Sequence, residues 1–191
     1  MKKLYFLIIC LLTAGTSMAQ KAQFGLKLGA NFANQHATYQ NLSANGSTLT
    51  SIYLGGFVNT GIGGNFSFQP EFLISSQGTQ TNYNGNTIKF NTVNINIPLM
   101  IKVNATEGLN FEAGPQLGFL VSAKARNKGN SIDIADGYNT VDLGINAGVE
   151  YVFPSGFLLG LRYSHGITDI LKDDEATTTN RVILLGIGYR F

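Results

Sequence analysis

The residues of this chain that could do chemistry are nine charged side chains, each placed alone between two apolar neighbours. Glu71, for example, lies between Pro70 and Phe72. Because successive side chains of a β-strand point to opposite faces, this pattern puts the charges on one face and the apolar residues on the other. Opposite charges enclosed together must pair, so the pattern indicates an ion-pair network. The nine residues are Lys27, Glu71, Lys102, Glu112, Lys124, Asp142, Glu150, Arg162 and Arg190.

Patterns typical of catalysis or metal binding are weak. His36 and His165 do not have the spacing of a metal-ligand pair. Ser164 precedes His165, but neighbouring strand residues point to opposite faces, so the two cannot act together without a local break. The acidic run at residues 173–175 could bind a hard cation such as Ca²⁺, although it lacks the EF-hand pattern and such a run is usually a solvated loop. We therefore predict no catalytic residues, no cofactor and no metal site.

The first 19 residues have the features of a secretory signal peptide. Two lysines precede an apolar run over residues 4–12, and small residues follow up to a cleavage site between Ala19 and Gln20. A membrane anchor is the alternative, but a spanning helix needs roughly 20 apolar residues, about twice this run. The only cysteine, Cys10, lies in this segment. We therefore predict that residues 20–191 form one domain without a disulfide.

The charge balance argues against a nucleic-acid partner. The chain has 13 basic and 11 acidic residues, and two of the basic ones lie in the predicted signal peptide, so the mature chain is formally neutral. Nucleic-acid binding calls for a clustered basic surface instead. Only 13% of the residues are charged, yet no apolar run after the signal peptide is long enough for a transmembrane helix. The hydrophobic residues are therefore spread over alternating positions.

Eight segments show the alternation expected of β-strands. The outer face is least clear in the second segment, because Tyr53 and Phe57 make one face apolar and Ile52 and Leu54 make the other apolar as well. We assign the face with Ile52 and Leu54 to the outside. Proline cannot donate to the strand ladder, so Pro98 in the fourth segment should lie at a local irregularity. The segments cover residues 24–32, 51–60, 66–77, 93–103, 109–124, 141–151, 157–164 and 181–191.

The connections between these segments alternate in length. Long polar connections lie at residues 34–50, 78–86, 127–140 and 166–180, and short turns lie at residues 61–64, 104–108 and 154–156. This arrangement predicts an all-β fold, an eight-stranded antiparallel up-and-down transmembrane β-barrel with short periplasmic turns and longer extracellular loops. The even strand number puts both termini on the periplasmic side. A soluble lipocalin-like barrel is the alternative, but its interior would be apolar rather than charged.

The interior of such a barrel gives the most specific prediction. Eight strands enclose a space that side chains can just fill, and the nine charged residues comprise five cations and four carboxylates. The planar fork of arginine suits the bridging of two carboxylates, so we expect Arg162 to pair with Glu71, Glu112 or Glu150. This network would plug the lumen. The alternative is that the charges line a hydrated channel.

Five short motifs resemble the porin-family outer-membrane β-barrel domain, a relative of the small OmpA/OmpX-like barrels. The resemblance implies a fold and a location rather than a reaction. It also implies that the outer-membrane insertion machinery recognises the closing strand, where Ile187, Tyr189 and Phe191 share one face. The motifs are GLKLGAN at 25–31, FQPEFLISSQG at 68–78, NIPLMIK at 96–102, GPQLG at 114–118 and RYSHG at 162–166.

The sequence therefore predicts a non-enzymatic integral protein of the bacterial outer membrane, with a charge-plugged lumen and surface loops for structural or binding roles. A small porin-like channel and a lipid-modifying enzyme in the same fold are the alternatives. The expected partners are outer-membrane lipids, the insertion machinery and an extracellular ligand of the loops, and we expect a monomer. Outward aromatic residues should form interface girdles. They are Phe66, Tyr151, Phe157, Tyr163, Tyr189 and Phe191.

Overall fold

The computed structural model describes residues 22–40, 42–83, 86–128, 130–172 and 176–191. The predicted signal peptide, its cleavage site at Ala19 and Gln20, and the acidic run at residues 173–175 lie outside the described residues. Among the described residues, no helix is both long and apolar enough to cross a membrane.

The described chain forms a single antiparallel sheet in which eight long strands close into a ring, because the last strand pairs with the first. Two further strands have four residues each: among the described residues, β2 pairs only with the end of β1, and β7 pairs only with the end of β6. The predicted all-β, eight-stranded antiparallel barrel is confirmed. Its strands are β1 (Gln23–Tyr39), β2 (Leu42–Asn45), β3 (Ser47–Gly63), β4 (Phe66–Tyr83), β5 (Asn86–Thr106), β6 (Leu109–Asn127), β7 (Asn130–Asp133), β8 (Val141–Val152), β9 (Phe157–Gly166) and β10 (Thr177–Arg190).

The two ends of the barrel differ in their connections. At the turn end, short turns follow β3, β5 and β8, and the first and last strands begin and finish there. Gly64, Gly108 and Gly156 have φ values of 55°, 83° and 89° in these turns, a conformation that glycine adopts without steric cost. At the loop end, longer connections follow β1, β6 and β9, and β4 joins β5 in a long hairpin.

The faces of the barrel strands match the predicted alternation along most of their length. In β3, Ile52 and Leu54 are 68% and 53% exposed on the outside, while Tyr53 and Phe57 are buried inside, so the assignment of this strand is confirmed. Glycines on neighbouring strands make room for these two inward rings. A Cβ atom at Gly25 would lie 2.2 Å from the Phe57 ring, far inside van der Waals contact.

All four predicted polar loops contain paired strand, and the one at residues 166–180 holds the start of β10, which pairs with β1 from Thr177 onwards. The connection at residues 34–50 holds the end of β1, all of β2 and the start of β3, and the one at residues 78–86 is the tip of the β4–β5 hairpin. The connection at residues 127–140 includes β7 and a short 3-10 helix at Ala135–Gly137. Polar composition indicates exposure to water, but backbone N–H and C=O groups still pair with neighbouring strands.

A β-bulge reverses the two faces of β6 near the loop end. Val93 pairs with Ser122 and Asn94 pairs with Leu120, so the intervening Val121 has no partner on β5. One extra residue in a strand of period two turns every following side chain to the other face. The predicted inward position of Lys124 is therefore wrong: Lys124 is exposed.

The irregularity predicted at Pro98 takes a milder form than a bulge. The register with β4 is the same at the Pro70–Leu99 pair and at the Leu73–Asn96 pair, although Ile97 and Pro98 between them are not paired. Pro98 is fully buried on the inner face. The missing N–H of proline therefore interrupts the ladder without an inserted residue.

Candidate functional site: a ring of charges inside the barrel

Six of the nine predicted interior charges meet in one layer of the barrel. Six different strands, β1, β4, β5, β6, β8 and β9, each contribute one side chain to this layer, which we call the charge ring. Every member is buried, with at most 7% of its surface exposed. The members of the charge ring are Lys27, Glu71, Lys102, Glu112, Glu150 and Arg162.

Arg162 joins two carboxylates of the ring. Its Nη1 and Nη2 atoms each donate a hydrogen bond of 2.8 Å to the two oxygens of Glu71, and its Nε atom donates one of 2.7 Å to Glu112 Oε1. The first pair has the parallel fork geometry that makes arginine–carboxylate contacts strong and specific. Arg162 thereby holds β9 to β4 and β6 across the lumen.

The two lysines link the carboxylates of the charge ring to each other. Lys27 Nζ lies 2.9 Å from Glu71 Oε1 and 2.8 Å from Glu150 Oε2. Lys102 Nζ contacts Glu150 Oε1 and lies 3.4 Å from Glu112 Oε2. Each cation therefore bridges two carboxylates and each carboxylate bridges two cations. The result is a closed, alternating ring with no net formal charge.

Neutral polar groups support one side of the ring. Gln69 Nε2 donates a 2.7 Å hydrogen bond to Glu71 Oε1, and Asn59 Nδ2 in turn donates to Gln69 Oε1 at 3.1 Å. Lys27 Nζ also lies 5.0 Å from the centroid of the Phe57 ring, within the range of a cation–π interaction. These contacts fix Glu71 and Lys27 in the geometry that the ring requires.

Apolar side chains cover the charge ring on both sides along the barrel axis. Towards the turn end, Phe57 packs over Gly25, two residues before Lys27, and forms a cluster with Val152 and Leu158. Towards the loop end, a Cβ at Gly29, two residues after Lys27, would lie 2.8 Å from the ring of Tyr53. Tyr53 belongs to a second cluster, which also contains Ala33, Leu73, Val182 and Leu184.

Very little empty space remains in the layer of the ring. The cavity between the ring members and the neighbouring Tyr53, Leu158 and Leu184 has a volume of about 20 Å³. This is room for about one water molecule. In this layer the side chains occupy the lumen almost completely.

The other three predicted members of the network do not reach the ring. Lys124 is outside the barrel, as the bulge in β6 requires. Asp142 faces inward nearer the loop end, where its Oδ1 accepts a 2.8 Å hydrogen bond from the Thr168 hydroxyl. Arg190 lies at the turn end, where it lines a cavity of about 540 Å³ together with Phe191. The alternation along a strand shows which side chains point inward, but it does not show at which height along the barrel axis they lie. The sequence therefore could not distinguish Asp142 and Arg190 from the members of the charge ring.

A second pocket lies at the loop end. It has a volume of about 500 Å³ and receives residues from β1, the β4–β5 hairpin and the connections before β8 and β10. Phe90, Ile134, Tyr138 and Leu171 line it, and Tyr138 packs with Ala123 and Ile170 in a cluster beside it. The sequence reasoning missed this pocket because its apolar residues are scattered through segments that read as polar loops.

Two polar side chains also line the loop-end pocket. Burial raises the pKa of the Tyr138 hydroxyl, and the neighbouring Gln35 side chain offsets part of this rise. Gln35 is itself 9% exposed, and its Nε2 atom has no hydrogen-bond partner of ordinary geometry among the described residues. The pocket thus offers a neutral phenol and an amide that keeps at least one N–H free.

The histidines and Ser164 lie apart from both sites. Ser164 is buried inside the barrel, whereas His165 is on the outer face, where its Nδ1 lies 3.4 Å from the Tyr163 hydroxyl. His36 Nδ1 lies 2.7 Å from Asn45 Oδ1. The part of the chain that the structure describes contains no group of three or more His, Cys, Asp or Glu residues arranged to hold a metal ion.

The closed ring of strands with an apolar outer face defines an outer-membrane β-barrel. The family model for the outer membrane protein beta-barrel domain matches residues 18–172. The chain therefore belongs to this family, which places it in the bacterial outer membrane.

Solved structures with the same fold are distant in sequence. Neisserial surface protein A is 15% identical, with a TM-score of 0.58 over 90% of this chain and 100% of that one. Ail, the attachment invasion locus protein of Yersinia pestis, is 14% identical, with a TM-score of 0.52 over 90% of this chain and 100% of that one. At such identities the likeness concerns the fold alone. No curated protein matches the chain by sequence.

Proposed function

We propose that this protein is a non-enzymatic outer-membrane barrel whose lumen is closed to ions and solutes and whose loop end binds ligands outside the cell. The observation that carries this proposal is the charge ring. Water or ions could pass only if the side chains of the ring moved apart, and separating them would leave desolvated charges unpaired. The apolar clusters on either side of the ring raise this cost, because they offer no alternative polar partners.

The proposed orientation puts the turn end in the periplasm and the loop end at the cell surface. Outer-membrane barrels have short turns on the periplasmic side and aromatic girdles at both interfaces. Exposed aromatic side chains gather at the turn end of this barrel, where the rings of Tyr151 and Phe153 lie 4.8 Å apart and those of Tyr189 and Phe191 lie 5.3 Å apart. In this orientation both termini are periplasmic.

Liposome swelling tests the closed lumen against the channel alternative. Purified mature protein is inserted into liposomes, its folding is checked by heat-modifiable migration on a gel, and uptake of small sugars is measured. We expect the swelling rate of protein-free liposomes. Sugar uptake that scales with the amount of folded barrel would overturn the proposal. Lipid A profiling of a deletion strain tests the enzyme alternative, and we expect the profile of the parent strain.

The loop-end pocket favours a small, mainly apolar ligand that carries one hydrogen-bond acceptor. Its volume of about 500 Å³ falls within the range of small-molecule sites, as does its combination of apolar walls with a few polar groups. Gln35 Nε2 is buried and carries two N–H groups, and Tyr138 can accept from only one of them, so the other would otherwise remain unsatisfied, which is costly in a buried position. A ligand acceptor beside Gln35 and Tyr138 would remove that cost.

Nuclear magnetic resonance of the barrel in phosphatidylcholine nanodiscs can test this binding role, with octanoic acid as the probe. We expect the side-chain amide signal of Gln35 to shift in the wild type and to stay fixed in an Ile134→Arg variant. Ile132→Arg is the matched control, since Ile132 lies nearby on β7 but does not line the pocket. An unchanged Gln35 signal in the wild type, or equal loss in both variants, would contradict the assignment.

A further inference from the structure

We propose that the outer surface of the β5–β6 hairpin at the loop end binds the phosphate groups of a polyanionic glycolipid in the outer leaflet of the membrane. The proposed site, which we call the basic patch, consists of Lys89, Lys124, Arg126 and Lys128. These residues line one open cavity of about 570 Å³. The proposal rests on the orientation proposed above, in which the loop end faces the cell exterior.

The bulge in β6 creates the basic patch. Without the unpaired Val121, Lys124 and Arg126 would point into the lumen with the residues of the charge ring. The bulge turns both to the outside, next to Lys89 on β5, and all three side chains are exposed. The bulge thus moves two cations from the interior of the barrel to its outer surface, where they can meet a ligand in the membrane.

The patch places like charges directly opposite each other. Lys89 and Arg126 are cross-strand partners in the register of β5 and β6, and such pairs of equal sign destabilise a sheet. Within the described ranges, none of the four cations takes part in an ion pair. Asp133 lies opposite Lys124 on β7, but its Oδ1 accepts a hydrogen bond from the Ala135 N–H instead. A bound anion would offset this repulsion.

The height of the patch matches the headgroup layer of a bilayer. The outward apolar residues of β5 run from Val93 to Val103, which corresponds to about 25 Å along the barrel axis for a tilted strand. Asn91 and Lys89 are the next outward residues towards the loop end. On β6 the apolar face ends at Val121, and Lys124 follows directly beyond the bulge. Lys89, Lys124 and Arg126 therefore lie just above the apolar band, and Lys128 follows at the end of β6.

This position selects the class of ligand. An anion that reaches the patch must sit at the boundary between hydrocarbon and water, as the phosphates of a lipid headgroup do. Several separated cations fit a headgroup with more than one phosphate better than a headgroup with one, because each basic residue near an anionic surface adds attraction. A soluble sulfated polysaccharide could also contact lysines, but its binding would not depend on the membrane.

Native mass spectrometry of the mature protein can test the proposal. The protein is released from nanodiscs that contain phosphatidylcholine with lipid A carrying either two phosphates or one. We expect retained adducts of the two-phosphate lipid A, and about tenfold fewer adducts of the one-phosphate form. Lys89→Glu and Arg126→Glu should each reduce the two-phosphate adduct about tenfold or more, whereas Lys89→Arg should retain it.

Lys172→Glu is the matched control, because it changes the net charge equally at an exposed loop-end lysine outside the patch. We expect it to retain the adduct. Heat-modifiable migration shows that each variant is folded. Equal losses in folded Lys89→Glu, Arg126→Glu and Lys172→Glu proteins would overturn the proposal. So would patch-dependent binding of a heparin oligosaccharide with lipid A binding unchanged, which would identify a soluble polyanion as the ligand.

Discussion

At the scale of single residues, the stability of this barrel should depend on charges that are almost completely buried. Arg162 contacts Glu71 and Glu112, and each of those carboxylates has only one other cation in the ring. Glu112 Oε2 has no hydrogen-bond partner among the residues that the structure describes, and it lies 3.4 Å from Lys102 Nζ. Removal of one cation therefore leaves two carboxylates under-neutralised at once.

Replacing Arg162 should consequently destabilise the folded barrel. We expect Arg162→Ala to lower the free energy of unfolding by about 3–5 kcal/mol, the usual cost of breaking a buried ion pair by removing one partner. Lys124→Ala should leave it unchanged, since Lys124 is exposed and unpaired among the described residues. Urea unfolding of the barrel in phospholipid vesicles measures both. Equal effects of the two substitutions would mean that the ring does not stabilise the barrel.

At the scale of elements, the period of two made most of the barrel predictable. Inward Glu71 and outward Phe72, for example, follow from alternation alone. The bulge at Val121 could not be located from the sequence alone. The apolar run Phe119-Leu120-Val121 interrupts the alternation, but the alternation then resumes in its original phase through Ala123 and Lys124. Only the pairing of β6 with β5 shows that one residue is extra.

Cysteine labelling can test the bulge. Single cysteines at residues 123 and 124 are introduced as Ala123→Cys and Lys124→Cys into the mature chain, which has no cysteine of its own if residues 1–19 are removed. A water-soluble maleimide should label Lys124→Cys and spare Ala123→Cys, because Ala123 is fully buried and Lys124 is exposed. The reverse result would restore the register expected from the sequence.

The middle of β6 gives a test of its lipid-facing side. Lysine at outward Leu117 should cost about 2–4 kcal/mol, the penalty for a basic residue near the bilayer midplane. Lysine at the inward neighbour Gln116 should cost less, because the interior there is polar and Gln116 accepts a hydrogen bond from Asn146. Unfolding in vesicles compares the two. Equal costs on both faces would indicate a wrong register.

The closing strand should decide how efficiently the barrel assembles. Ile187, Tyr189 and Phe191 are exposed on one face of the last strand and its end, as the assembly prediction requires. The Phe191 N–H also donates a 2.8 Å hydrogen bond to the Phe24 carbonyl at the seam. Deleting Phe191 should therefore reduce the amount of folded barrel in membrane fractions. Undiminished levels would show that the insertion machinery does not need this residue.

At the scale of the whole molecule, the sequence predicted the strand number, the faces and a paired interior. The composition of the charge ring could not follow from the sequence, because its members come from six strands whose relative heights depend on the stagger of the closed barrel. The loop-end pocket escaped prediction for a related reason: it assembles from four separate connections. In both cases tertiary register, rather than local pattern, decides which residues meet.

Conductance across a planar lipid bilayer shows whether the charge ring closes the lumen. Purified wild-type protein, inserted as heat-modifiable folded barrel, should give no steady current above that of the bare bilayer. Arg162→Ala, where it still folds, should also give none, because the apolar clusters around Phe57 and Tyr53 remain in place. Steady, reproducible conductance steps from the wild-type protein would contradict the account and favour the channel alternative.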